Sequence, residues 1–287
     1  MEEFRASQTA VRAALQRAVH QVLDGEPLVF IDPIAVGLTP EATEAAIHEQ
    51  ADLFLQPGWR RIRANFVLRS RNAEDCLAEA VSRGVRQYVL LGAGLDTFAY
   101  RQPTWASNIR IVEIDQPASQ SFKMACLSNR GVSIPSNLCF QPVDFRTETL
   151  SEKLASTPLA ANEPIFVSWL GVTQYLPLKA IETTLRTVAS WPGGCEVILE
   201  HIESDWASLD AVGRGAMEQA AARATSSGEP WLSRFSSEAM AILLRKSGFS
   251  EIRHFSTEDA TQRYFQGRSD GLFPAGGIAM VWARTSR

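Results

Sequence analysis

Apolar positions fall into two textures along the chain. In the first third they recur at three- and four-residue spacings: Val11, Leu15, Val19, Val22 and Leu23 within 10–23, then Ile62, Phe66, Leu77, Ala80 and Val81 within 59–83. That period predicts two amphipathic helices, the first with Ser7 or Thr9 as its N-cap and the second ending at Gly84. From Gln87 onward the pattern changes to short apolar blocks: "YVLLGAG", "IRIVEID", "LCFQPVD", "PIFVSWLGV", "CEVILEH", "SEIRHFS" and "GGIAMVWAR". These predict seven strands. Several are continuous runs, as expected of strands covered on both faces, so the expected class is α/β with a doubly wound, mainly parallel seven-stranded sheet. The last two blocks are expected to form an antiparallel pair at one end.

An N-terminal helical cap over 1–84 should pack on a core over 85–287, the two forming one compact unit. Before the last two strands comes a helical insert, 204–229, containing "WASLDAVGRGAMEQAAARA" and the turn-like "TSSGEPW". Additions above the carboxyl ends of strands often wall a ligand pocket, and a purely structural surface insert is the alternative.

Composition narrows the function. With 28 basic and 32 acidic residues and a net charge of -4, the 287-residue chain has no polybasic signature for nucleic acid or an anionic membrane. The acidic start "MEEFRASQTA" does not resemble a secretory signal, and no apolar run reaches the ~18 residues of a membrane span, so a cytoplasmic protein acting on a small molecule is expected. Cys76, Cys126, Cys139 and Cys195 lack CxxC spacing and are read as buried thiols. His20, His48 and His254 share no metal-ligand spacing, and no metal is expected.

Gly92 and Gly94 stand where the first strand ends and a helix is expected to begin, letting the backbone turn tightly and approach a ligand. The next strand ends in Glu113 and Asp115, the latter 21 residues beyond Gly94, where an acid can bind both ribose hydroxyls of an adenosine. A dinucleotide fingerprint would place a third small residue where Thr97 stands, preceded here by Asp96. A carboxylate beside the loop repels a diphosphate and suits a cationic cofactor, although Asp96 could simply cap the expected helix. Asp144 and Phe145 close the third block, where a carboxylate and a ring can meet adenine; an Asp144–Arg146 turn bridge is the alternative.

Together "LLGAGLDTFAYR", "VEIDQP", "VDFR" and "SWLGVTQYL" resemble the leucine carboxyl methyltransferase-like family of S-adenosylmethionine-dependent methyltransferases. The resemblance extends to "SQTAVRAALQRA", "FIDPIA", "LRSRNAED" and "GEPWLSRFSSEAMAILLRKSGF". It implies a Rossmann-like class I methyltransferase fold. It also implies that Gly92 packs on the methionine moiety of S-adenosylmethionine, that Asp115 holds the ribose, and that Asp144 and Phe145 bracket the adenine. Arg69 would pair with the methionine carboxylate, with Arg71 as the nearby alternative. Protein-methylating members carry a glutamate near Leu170; its loss leaves Ser168 or backbone carbonyls to meet the cofactor's amino group, and shifts the reading toward bacterial relatives acting on small natural products.

Methyl transfer from a sulfonium is an in-line displacement that alignment and water exclusion can accelerate. A carboxylate acceptor is ionised at pH 7 and needs no base, whereas a phenol benefits from one. His201 is the base candidate, or else a pocket wall, and Tyr175 can hydrogen-bond the acceptor oxygen. Trp206, Trp231 and Phe235 are candidate walls, and Arg234 or Arg268 a partner for an acidic substrate. Two rival readings are a nicotinamide-dependent oxidoreductase, suggested by Tyr175 and Lys179 at Y-x-x-x-K spacing, and a non-catalytic adenosine-binding module. Pro177 between that pair argues against a shared helix face.

Overall fold

The computed structural model describes residues 7–143 and 148–286. All seven apolar blocks form strands: β1 Gln87–Leu91, β2 Arg110–Asp115, β3 Leu138–Pro142, β4 Ile165–Trp169, β5 Cys195–Ile202, β6 Phe249–Phe255 and β7 Ile278–Thr285. They make one sheet of order β3-β2-β1-β4-β5-β7-β6. β1 to β5 are parallel, and β7 runs antiparallel between β5 and β6. The expected antiparallel pair is therefore present, with the last strand inserted inside the next-to-last. Strand order reverses between β1 and β4, and in such sheets the crevice outside the carboxyl ends at that point is where ligands collect.

Helices flank the sheet: α1 Gln8–Leu23, the short α2 Glu44–Glu49 and α3 Ala51–Phe54, α4 Pro57–Ser82, α5 Pro117–Asn129, α6 Leu150–Ala155, α7 Leu178–Ala189, α8 Ala211–Ser226 and α9 Ser237–Ser247. Val89, Val112, Val167 and Val197 pack on one face against Ile181 and Leu185 of α7 and Met240 and Leu244 of α9. Tyr88, Leu90, Phe166 and Ile198 pack on the other against Ala73, Leu77 and Ala80 of α4. Burial on both faces is why the blocks read as continuous apolar runs rather than alternations, each large side chain contributing about 1.5–3 kcal/mol.

Local chemistry sets the helix ends. The Ser7 hydroxyl accepts from Ala10 N at 3.3 Å and caps α1, which leaves Thr9 free for other contacts. α4 stops where Gly84 adopts φ +102° and Val85 N donates to the Ala80 carbonyl at 3.1 Å.

One expectation is corrected. No α-helix follows the glycine loop: the chain makes two single 3-10 turns, Phe98–Tyr100 and Thr104–Ala106, and enters β2. The sheet face such a helix would cover is taken by α4 and by Phe98, whose ring meets Tyr88 edge-on at 5.3 Å. A long helix N-terminus, the usual seat of a pyrophosphate, is missing from that position.

The insert forms α8, where Asp210 accepts from Gly213 N at 2.7 Å as the N-cap and pairs with Arg61 of α4. Ala216 and Met217 bury against Ile62 and Ile202, which holds the insert over the carboxyl end of β5. Among the described residues no helix is long and apolar enough to cross a membrane.

Candidate functional site

The crevice begins at the end of β1. Gly92 has φ +68°, and its amide donates to the Ile114 carbonyl at 2.8 Å; a Cβ there would lie 2.4 Å from Cγ2 of Val172, so only glycine lets β1 and the turn after β4 approach this closely. Gly94 N donates to Asp115 Oδ2 at 2.6 Å, and Gln116 N donates to Oδ1 at 2.7 Å. Asp115 thus anchors the loop as well as facing it. A carboxylate accepts about four hydrogen bonds, and with the Ser119 side chain also bonded to it, one position stays open for a ribose hydroxyl. Burial raises its pKa above the ordinary carboxyl value, against the opposing pull of the Gly94 and Gln116 amides.

Asp96 accepts from Phe98 N at 2.8 Å, a local bond at the entry to the first 3-10 turn, whose N-cap position is Thr97. Thr97, at the place of the third fingerprint residue, accepts from Arg101 Nε at 3.0 Å. Arg101 also pairs with Glu74 and, at 3.4 Å, with Asp32, whose other oxygen binds Arg17 Nε at 2.8 Å. Arg17 Nη2 then donates to the Leu95 carbonyl at 2.6 Å. Burial works against ionised Asp32, yet Arg17 and Arg101 hold its pKa below the usual value. This network fixes the loop from behind; its residues are scattered from Arg17 to Arg101, and sequence spacing gave no sign of it.

Arg69 and Arg71 separate cleanly. Arg71 pairs with Asp75 at 3.0 Å on the outer side of α4. Arg69 reaches the strand ends, where Nη1 lies 3.1 Å from Glu200 Oε1 and its guanidinium stacks 4.6 Å from the Phe66 ring centroid. Gly171, with φ +68°, lies beneath that guanidinium; a Cβ there would fall 2.6 Å from Nη1. Ser168 has a different partner from the one expected: its hydroxyl is 2.9 Å from Tyr88 OH, buried inside the sheet layer under α4. Asp144 and Phe145 lie outside the described residues.

Across the crevice, Tyr175 OH lies 3.2 Å from Thr9 Oγ1 and accepts from Trp231 Nε1 at 3.4 Å. Thr9 donates through Oγ1 to Glu229 Oε2 at 2.6 Å, so α1 and the insert meet over this hydroxyl. Trp206 meets Trp231 edge-on at 6.1 Å, and Arg234 lies 4.4 Å and 5.8 Å above the two rings. Arg268 is occupied by Asp270 and the carbonyls of Gly25 and Pro27. It is thereby removed as a substrate partner.

His201 is fully buried, with Nδ1 3.4 Å from the Ile202 carbonyl, Nε2 without a partner among the described residues, and Phe235 edge-on at 6.1 Å. Burial pushes its pKa down to about 4, so the ring is neutral at pH 7. Strand alternation places it on the opposite face of β5 from Glu200. The oxidoreductase pair is not formed: Tyr175 ends a 3-10 turn, Lys179 lies in α7, and Pro177 caps the new helix. A separate groove of about 560 Å³ lies on the flank between α4 and the β6–β7 pair. Burial there holds the Cys76 thiol up at about 12, too high for a nucleophile.

Sequence reasoning passed over Glu200 and Glu229, and offered Thr9 only as a helix cap. For Glu200 a signal existed: a charged residue directly after the apolar "VIL" of β5.

Spare acceptor capacity at Asp115, close backbone approach at Gly92, and an arginine beside a buried carboxylate fit a cationic nucleoside carrying an amino acid. The comparisons agree. The leucine carboxyl methyltransferase family profile matches residues 10–189. A Bacillus subtilis protein named "Putative S-adenosyl-L-methionine-dependent methyltransferase YktD" is 27% identical over 95% of both chains. A Mycolicibacterium vanbaalenii protein whose name describes the same activity is 33% identical over 70% of this chain and 68% of its own. A crystal structure of a "putative methyltransferase" from Thermobifida fusca superposes with a TM-score of 0.61 at 14% identity, covering 100% of this chain and 97% of that one, a likeness of fold. The chain belongs to the leucine carboxyl methyltransferase family, and its chemistry is S-adenosylmethionine-dependent methyl transfer.

Proposed function

We propose that the enzyme transfers the methyl group to a carboxylate oxygen of a small metabolite acid, with the cofactor seated in the crevice between β1 and β4. When bound, S-adenosylmethionine supplies an electrophilic methyl group on a cationic sulfur. Asp115 would hold a ribose hydroxyl and Arg69 the amino-acid end. The observation that carries the acceptor assignment is Arg234, an exposed guanidinium stacked on Trp206 and Trp231 with no acidic partner among the described residues. The buried Trp206 Nε1 beside it is also a donor without a partner among the described residues. Donors on an aromatic wall suit a carboxylate carried on an apolar body.

The acceptor mouth holds Tyr175, whose hydroxyl can orient the attacking oxygen by turning its proton from Thr9 Oγ1 toward it. The nearest histidine in sequence to these residues, His201, sits neutral on the other face of β5. A carboxylate is already ionised at neutral pH and needs no proton removed, so alignment and exclusion of water are what the residues must provide. Esterification cancels the negative charge, which weakens the hold of Arg234 and favours release.

Incubation with a panel of small aromatic and aliphatic acids tests this reading. A gain of 14 Da that mild base reverses identifies an ester, and Arg234→Gln should raise KM about tenfold. A base-stable methyl ether, or an unchanged KM, would contradict it.

A further inference from the structure

Glu200 is a buried charge that the fold leaves half used. It lies two residues before the end of β5 at 1% exposure, with its carbonyl accepting from Thr173 Oγ1 at 2.7 Å, which ties this part of the strand to the turn after β4. Oε1 accepts from Arg69 Nη1 at 3.1 Å, and Oε2 has no partner among the described residues. A buried carboxylate oxygen without a donor is costly, and its retention calls for a donor that arrives with a ligand. Arg69 is itself seated over Gly171, two positions past β4. A guanidinium and an unsatisfied carboxylate oxygen therefore stand side by side at the edge of the crevice.

An α-amino acid carries an ammonium and a carboxylate on one carbon, which is the complement of that pair. We propose that Glu200 accepts a hydrogen bond from the α-ammonium of the cofactor's methionine end while Arg69 binds the adjacent carboxylate. The proposal rests on the seating of the cofactor in the β1–β4 crevice. It supplies from β5 the negative charge that β4 lacks at Leu170, a charge that Ser168, whose neutral hydroxyl meets Tyr88, does not carry. A simpler role for Glu200, holding Arg69 in place, predicts different ligand dependence.

Calorimetry with four ligands separates these roles: S-adenosylhomocysteine, its decarboxylated form, its deaminated form, and 5′-methylthioadenosine. Glu200→Gln should weaken S-adenosylhomocysteine and the decarboxylated ligand about ten- to a hundredfold, and leave the two ligands lacking the ammonium unchanged. Should the decarboxylated ligand bind the variant as it binds the wild type, Glu200 acts only through Arg69 and the proposal is overturned. If the variant fails to fold, the wild-type protein still decides: the deaminated ligand should bind at least tenfold more weakly than S-adenosylhomocysteine, and equal affinities overturn the assignment. Failure of the crevice reading looks different, because Asp115→Ala would then bind methylthioadenosine as tightly as the wild type.

Discussion

The two sides of the crevice are held by different means. Behind the glycine loop, Arg17, Asp32, Arg101 and Glu74 form a buried network in which Asp32 is fully enclosed and serves two guanidinium groups. At the acceptor mouth, Thr9, Tyr175, Glu229 and Trp231 are joined by partly buried hydrogen bonds between the first helix and the insert. Buried charge pairs lock a geometry because losing one partner strands the other. Partly exposed hydrogen bonds between separate elements open at lower cost. The side assigned to an invariant cofactor is thus rigid, and the side assigned to the acceptor can adjust.

Breaking the rigid side should have the largest effect. Asp32→Ala leaves Arg17 and Arg101 unpaired in the interior and should cost about 3–5 kcal/mol in denaturant unfolding. A loss under about 1 kcal/mol would mean the network is incidental, and the contrast between the two sides would fall.

Acid comes next. His201 titrates at about 4 when folded and about 6.5 when unfolded, so the unfolded chain binds more protons between those values. Its contribution to stability is intact above pH 6.5 and declines as pH falls toward 4, by roughly 3 kcal/mol in all. His201→Phe keeps an aromatic wall and should remove that part of the acid sensitivity, seen by comparing urea unfolding at pH 7 and pH 4.5. Equal pH dependence in the two proteins would show that the ring is not buried in its neutral form.

On the adjustable side the effect should be smaller. Tyr175→Phe is expected to lower kcat/KM about tenfold while leaving S-adenosylhomocysteine affinity unchanged, which calorimetry and initial rates measure together. A matching loss of cofactor affinity would place Tyr175 on the rigid side.

The strands were legible because burial on both faces leaves an unbroken apolar block whatever the order of the strands in the sheet. The order itself was not: nothing in "GGIAMVWAR" says that β7 inserts beside β5. The glycine loop suggested a helix after it, yet "RQPTWAS" breaks the chain into single turns, and α4 fills the vacated face from the N-terminal side. Arg69 and Arg71 are two helical positions apart, about 200° around the axis, so only one could face the crevice, and the choice needed the helix's rotation. Glu200 was overshadowed by His201, although strand alternation gives the two opposite surroundings. The Arg17–Asp32–Arg101 network joins residues far apart in sequence and becomes visible only when the chain folds.

The seating of the cofactor between Asp115 and Arg69 is the central claim, and calorimetric titration of the wild type and Asp115→Ala tests it most directly. S-adenosylhomocysteine should bind the wild type while NAD does not, and the variant should lose about a hundredfold or more in affinity while keeping a cooperative unfolding transition. Wild-type affinity in the folded variant would contradict the account.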